Sequence, residues 1–297
     1  METVFRDAAA FARLPNHARE TTALLVPLCR HDNWRDVMWM LCEARRVTRV
    51  DGELLIGVDS SAHDITVLDS RGLPVSEERQ ALKMLADADL RVVDRLIEPP
   101  AESPFRDKPD LLFRCRQPDN RIVMPAEAPE VRAELAAFCE TRLHFERLLT
   151  DKELADELTD GAMRLGSSAN RKRHPAVADI PEYIFDVFLD DAPVGRVSLR
   201  IGYAPILYYF GHIGYWIYPH LRGRDLAGRA CRVLQRVAAR HEMPFLAIAN
   251  DIKNLPSRRV CEKLGATYRR SILLPEESPL LGYGQRVGNL YYWREQD

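Results

Sequence analysis

Between Gly211 and Gly265 the spacing of apolar residues alternates between the period of a strand and that of a helix. His212–Tyr218 is aromatic and β-branched, which suits a pleated, half-buried surface, and Pro219 closes that ladder because it has no N–H to donate. Leu226, Ala230, Val233, Leu234, Val237 and Ala238 then recur at helical spacing and predict one buried face. Phe245–Asn250 reads as a second strand, and a second helix runs to Gly265. The turn Arg222-Gly223-Arg224-Asp225-Leu226-Ala227 therefore opens a helix. A helix start carries unpaired N–H groups and a partial positive charge, so small residues there admit a phosphate and two arginines attract it. The plain alternative is a strand-to-helix turn with solvated arginines.

The same turn resembles the acetyl-CoA pyrophosphate loop of the GNAT family of N-acetyltransferases, whose pattern is Arg or Gln, two residues, Gly, one residue, then Gly or Ala. Arg222 and Ala227 match its ends. The Phe245–Asn250 strand, Asn254, Ser257 and Glu262-Lys263-Leu264-Gly265-Ala266 are similar to the family's next strand and helix, and Tyr283–Trp293 to the tail of one bacterial branch. The likeness covers roughly residues 120–297. It implies an α/β fold with a mixed, mostly antiparallel sheet flanked by helices, and an enzyme moving an acetyl or other short acyl group from acyl-CoA to the amine of a small or medium-sized acceptor by direct attack in a ternary complex. By position, the amides of Ile217 and Tyr218 would meet the pantetheine arm and those of Arg222, Gly223, Arg224, Asp225, Leu226 and Ala227 the pyrophosphate. Asn254 and Ser257 would contact the cofactor's other flank.

Two residues depart from the family pattern. Asp225 stands where relatives carry glycine; aspartate tolerates a left-handed backbone, and its carboxylate must then turn away from the phosphates. Cys261 stands where many relatives carry a tyrosine acid, and it reads either as a proton donor to the departing thiolate or as a buried core thiol. The central strand also lacks the glutamate of many relatives. His212 and Glu182 are the remaining candidate bases, each with a structural alternative. Tyr215 can line the amine pocket, donate a proton or pack in the sheet.

Composition bounds the rest. A chain of 297 residues, 46% hydrophobic, has room for two domains of ordinary size. Its net charge of −2 argues against a nucleic-acid or membrane-surface partner. The six cysteines have no metal-knuckle or redox-pair spacing, so no metal is expected. Without a leader-like start or a long apolar run, a cytoplasmic protein is expected.

Residues 1–118 alternate strand and helix: Ala23–Cys29, the helix of Trp34 to Ala44, an Asp51-Gly52 turn into Glu53–Asp59, a helix capped by Ser76 with Leu82 and Leu85 inward, then Arg91–Ile97 and Asp110–Arg116. This part loosely resembles the later half of a Rossmann-type S-adenosylmethionine methyltransferase, without its glycine-rich cofactor loop. It is expected to be an accessory, non-catalytic domain. From 119 on, Arg121–Met124 is expected as a strand, a helix from Pro129 through Phe145, and a second from the Thr150–Glu153 capping box to Gly161. Gly166–Pro175 is a basic loop, either solvated or a flap over substrate, and Glu182–Leu189 and Val194–Ile201 form a hairpin. Two rival functions stay open: a donor carried on an acyl carrier protein's phosphopantetheine arm, and a non-catalytic acyl-CoA sensor. The amine acceptor and the oligomeric state are open.

Overall fold

The computed structural model describes residues 4–6, 14, 16, 19–27, 33–59, 75–96, 105, 109–117, 119, 121–168 and 174–294. They fall into two compact units, one of residues 1–125 and 271–287, the other of 126–270 and 288–297. Among the described residues no helix is long and apolar enough to cross a membrane.

The first unit holds β1 (Val4–Phe5), β2 (Arg19–Pro27), α1 (Trp34–Val47), β3 (Thr48–Asp59), α2 (Glu77–Asp87), β4 (Arg91–Leu96), β5 (Leu111–Arg116) and β6 (Val123–Pro125). Its sheet has the order β1-β2-β3-β5-β4. The first three strands are parallel, and β5 runs against both of its neighbours. Ser76 accepts from the Arg79 amide and starts α2 as expected, but only Leu85 faces inward; Leu82 is exposed. No turn interrupts Asp51-Gly52, because residues 48–59 form one strand that pairs with β2 from both sides of the dipeptide.

The second unit begins with α3 (Pro129–Cys139), opened by proline at its first turn. The helix stops before Arg142 and Phe145, and residues 141–150 have no regular structure. The capping box does form, with the Thr150 amide 2.8 Å from Glu153 Oε2. Only separate turns follow it, so the predicted helix is absent; β7 (Thr159–Asp160) and β8 (Met163–Ser167) take up the chain instead. The flap residues 169–173 lie outside the described residues.

A central hairpin follows, β9 (Glu182–Leu189) and β10 (Ala192–Arg200). It is joined by Asp190 and Asp191 at φ 48° and 61°, a left-handed pair that short polar side chains tolerate. After α4 (Pro205–Phe210) comes β11 (Ile213–Ile217), then α5 (Leu226–Arg240), β12 (Leu246–Asp251), α6 (Leu255–Lys263), β13 (Thr267–Leu273) and β14 (Val287–Trp293). The five-stranded sheet is antiparallel, in the order β11-β10-β9-β8-β7. All six periodic residues of α5 are buried.

β11 is the edge of that sheet, and β12 is the edge of another, which it shares with β14. The two edges meet at His212, whose amide donates to Ala247 O at 2.8 Å. Beyond that point no backbone bond joins β11 to β12 among the described residues. This leaves one edge of β11 unpaired, and it leads directly to the start of α5.

Candidate active site

The phase of the β10–β11 ladder decides which β11 amides are available. Tyr218 donates to Val194 O at 3.0 Å, and the His212 carbonyl accepts from Arg200 N at 2.8 Å. Alternate residues of a strand present their amides to the same side, so Gly214, Trp216 and Tyr218 face β10 while Tyr215 and Ile217 face the open edge. The Tyr218 N–H is spent on Val194, whereas Ile217 and Tyr215 turn theirs to the open edge.

At the end of β11 a short 3-10 turn, Pro219–Leu221, leads into Arg222. Arg222 is anchored by its own strand, with Nε donating to Ile217 O at 3.1 Å. Gly223 takes φ 85° and Asp225 φ 58°, both left-handed. From Gly223 to Gly228 no amide donates to a backbone carbonyl among the described residues; the first such bond is Arg229 N to Asp225 O. Six N–H groups at a helix start, with Arg222 and Arg224 exposed beside them, form an anion site in outline.

The Asp225 carboxylate does not fill it. It makes no capping bond to the helix amides. Its oxygens lie 3.6 Å from Arg232 Nη1 and 3.7 Å from Lys263 Nζ, on the flank of α5. Buried Leu226 and half-buried Ala227 complete the turn.

The four residues expected to carry the chemistry have different surroundings. His212 is fully buried, with Nε2 donating to Gly202 O and Nδ1 accepting from Ala247 N, both at 2.7 Å. Burial, chiefly, pushes its pKa down to about 4. Both nitrogens are occupied and the ring stays neutral, so His212 pins the two sheet edges together and has no lone pair to offer an amine. Cys261 is likewise wholly buried, its sulfur accepting from Asn250 Nδ2 at 3.6 Å; it is a core thiol. Tyr215 reaches from β11 to the head of α6, its hydroxyl 2.6 Å from Ser257 Oγ, and burial raises its pKa, which keeps the phenol protonated. Ser257 is thereby engaged, and its amide is capped by Asn254 Oδ1 at 3.2 Å. Asn254 thus caps α6, and Ser257 ties Tyr215 to its first turn.

Glu182 lines a cleft of about 250 Å³ on the polar face of β9, β10 and β11. Arg200, buried beside it, has Nε 3.0 Å from Glu182 Oε1 and Nη1 donating to Gly211 O at 3.1 Å. Tyr215, Ser198, Gly214 and Trp216 also border the cleft. Arg200, Ser198 and Gly214 belong to no motif in the sequence. Their signal was the alternation Arg196-Val197-Ser198-Leu199-Arg200, which puts polar residues on one face of a strand and apolar ones on the other.

The model of the family described as acetyltransferase (GNAT) domain matches residues 107–267, more than half of the chain. No curated protein matches the sequence. Among solved structures, the acetyltransferase of Salmonella typhimurium that modifies the N-terminal serine of 50S ribosomal subunit protein L7/L12 is similar at 19% identity and TM-score 0.30, over 39% of this chain and 64% of the other. Mycobacterium smegmatis RimJ, solved with a CoA disulfide, is similar at 20% identity and TM-score 0.30, over 38% and 53%. In both comparisons the chain spans less than two thirds of the other protein.

Proposed function

Because the chain belongs to the GNAT acetyltransferase family, we propose that it moves an acetyl group from acetyl-CoA to the amine of an acceptor lying in the β9–β11 cleft. The observation that carries this reading is the bend at Gly223–Gly228, whose unspent amides await an anion while the Asp225 carboxylate is held to one side. We assign the transferase to residues 119–297 and an accessory role to 1–118.

In this reading the diphosphate of CoA sits on the loop amides, and the pantetheine arm follows the open edge of β11. The amides of Tyr215 and Ile217 then polarise the thioester carbonyl, a preorganised stabilisation of the oxyanion. The amine nitrogen attacks that carbon, a C–N bond forms, and the C–S bond breaks. Glu182, the carboxylate of the cleft, receives the proton the nitrogen loses. The Tyr215 phenol supplies the proton the thiolate gains. The off-axis position of the Asp225 carboxylate favours free acetyl-CoA over a donor tethered to a carrier protein.

The reading is tested by thiol release from acetyl-CoA across a panel of small amines and peptide N-termini. Amine-dependent release supports it. Stabilisation by acetyl-CoA without release would indicate the sensor, and release from a loaded carrier protein alone would indicate the tethered donor.

A further inference from the structure

An aspartate at a helix start ordinarily turns its carboxylate onto the first free amides. Asp225 stands at the start of α5 and makes no such bond, and the amides it leaves open are the candidate anion site. Charge holds it away: Oδ2 lies 3.6 Å from Arg232 Nη1 and Oδ1 3.7 Å from Lys263 Nζ, both longer than a hydrogen bond. On the flank of α5 the carboxylate leaves the loop open to a diphosphate. Turned in, it would take the diphosphate's place.

The two cations are not chemically equivalent. Only six of the 42 basic residues are lysines, and one of them stands at this contact. A guanidinium keeps its charge, whereas a lysine amine can be acylated and then carries none. Lys263, the last residue of α6, is 62% exposed, so an acyl donor reaches it from solution. Resting on the acetyl-CoA reading, we propose that Lys263 is a regulatory acylation site, where transfer of an acetyl group to its nitrogen loosens Asp225 and weakens the binding of acetyl-CoA.

Acetyl-CoA supplies everything the step needs. The unprotonated ε-nitrogen attacks the thioester carbon, a C–N bond forms, the C–S bond breaks, and the proton the nitrogen sheds ends on the departing CoA thiolate. The product is a neutral amide. Arg232 then holds the carboxylate from α5 with no charge left on the α6 side, and the donor limits its own binding. The control is graded, because an exposed ion pair changes a binding constant by up to about fivefold.

Calorimetry with CoA on a double-mutant cycle tests the inference. Lys263→Gln, which imitates the acetylated side chain, should raise the Kd for CoA about two- to fivefold, whereas Lys263→Arg, which keeps the charge, should stay within about 1.5-fold of the native protein. In an Asp225→Asn background, where no carboxylate charge is left to release, Lys263→Gln should shift the Kd by less than about 1.5-fold. No rise in Lys263→Gln, or a rise as large in Lys263→Arg, overturns the proposal. So does an undiminished shift in the Asp225→Asn background, which would mean that Lys263 attracts CoA directly. Mass spectrometry of the protein incubated with acetyl-CoA should find the acetyl group on Lys263, and an unmodified Lys263 overturns the site. Failure of the native protein to bind CoA would instead strike at the acetyl-transfer reading.

Discussion

A Cβ at Gly228 would lie 2.8 Å from Asp225 Oδ1, so the carboxylate and the glycine share one space on the flank of α5. Gly228, three residues on, leaves room for the aspartate to fold back toward Arg232 and Lys263. Gly228→Ala should push the carboxylate toward the loop amides. We expect the Kd for CoA to rise roughly tenfold, the scale of one charge-assisted hydrogen bond, while helix propensity gains up to about 1 kcal/mol. Adding Asp225→Gly should restore binding. Calorimetry on the single and double variants checks both effects, and unchanged affinity in Gly228→Ala would separate Asp225 from the anion site.

His212 makes stability depend on pH in a definite direction. Its folded pKa is pushed from 6.5 down to about 4, so the unfolded chain binds the proton first on acidification. The contribution is fully present above pH 6.5 and is lost as pH falls from 6.5 toward 4. Chemical denaturation across that range should show declining stability. His212→Phe should flatten the dependence and cost about 2–4 kcal/mol, because the Gly202 carbonyl and the Ala247 amide lose their partner. An equally steep pH dependence in the variant would place the titration elsewhere.

Glu182→Gln addresses a pair in which both side chains are nearly enclosed, 8% and 3% exposed. Removing one charge leaves the other buried and unmatched, at a cost of about 3–5 kcal/mol. The variant should therefore melt lower as well as turn over slowly. Raising the assay pH should recover rate, because a larger share of the amine then arrives neutral and solvent base can take up the one proton that the nitrogen still sheds after attack. A rate deficit that stays constant with pH would remove Glu182 as that acceptor.

Tyr215→Phe removes the 2.6 Å contact to Ser257 Oγ but leaves the strand amides in place. Loss of the proton donor should lower kcat roughly a hundredfold with KM for acetyl-CoA little changed. An unaltered kcat would return Tyr215 to a packing role.

Much of the second unit was legible because its elements follow local rules: the periodic face of α5, the proline that opens α3, and the aspartates that turn the central hairpin. The helix after Thr150 was misread because the capping box is satisfied by one turn, and nothing in its hydrogen bonds obliges a helix to continue. Side-chain roles were less legible. His212 carries a useful reference pKa in the sequence, but the carbonyl of Gly202 and the amide of Ala247 that claim its ring come from residues 10 and 35 positions away. Arg200 and Ser198 share a face of β10 that the alternation does announce, but their meeting with Gly214 depends on the β10–β11 register, which no local motif sets.

The most direct test of the account is the amide spectrum of the isotope-labelled protein titrated with CoA. We expect the largest shifts on the amides of Gly223 to Gly228, with Tyr215 and Ile217 following along β11. Binding of CoA that leaves those loop amides unmoved, or no binding at all, would contradict it.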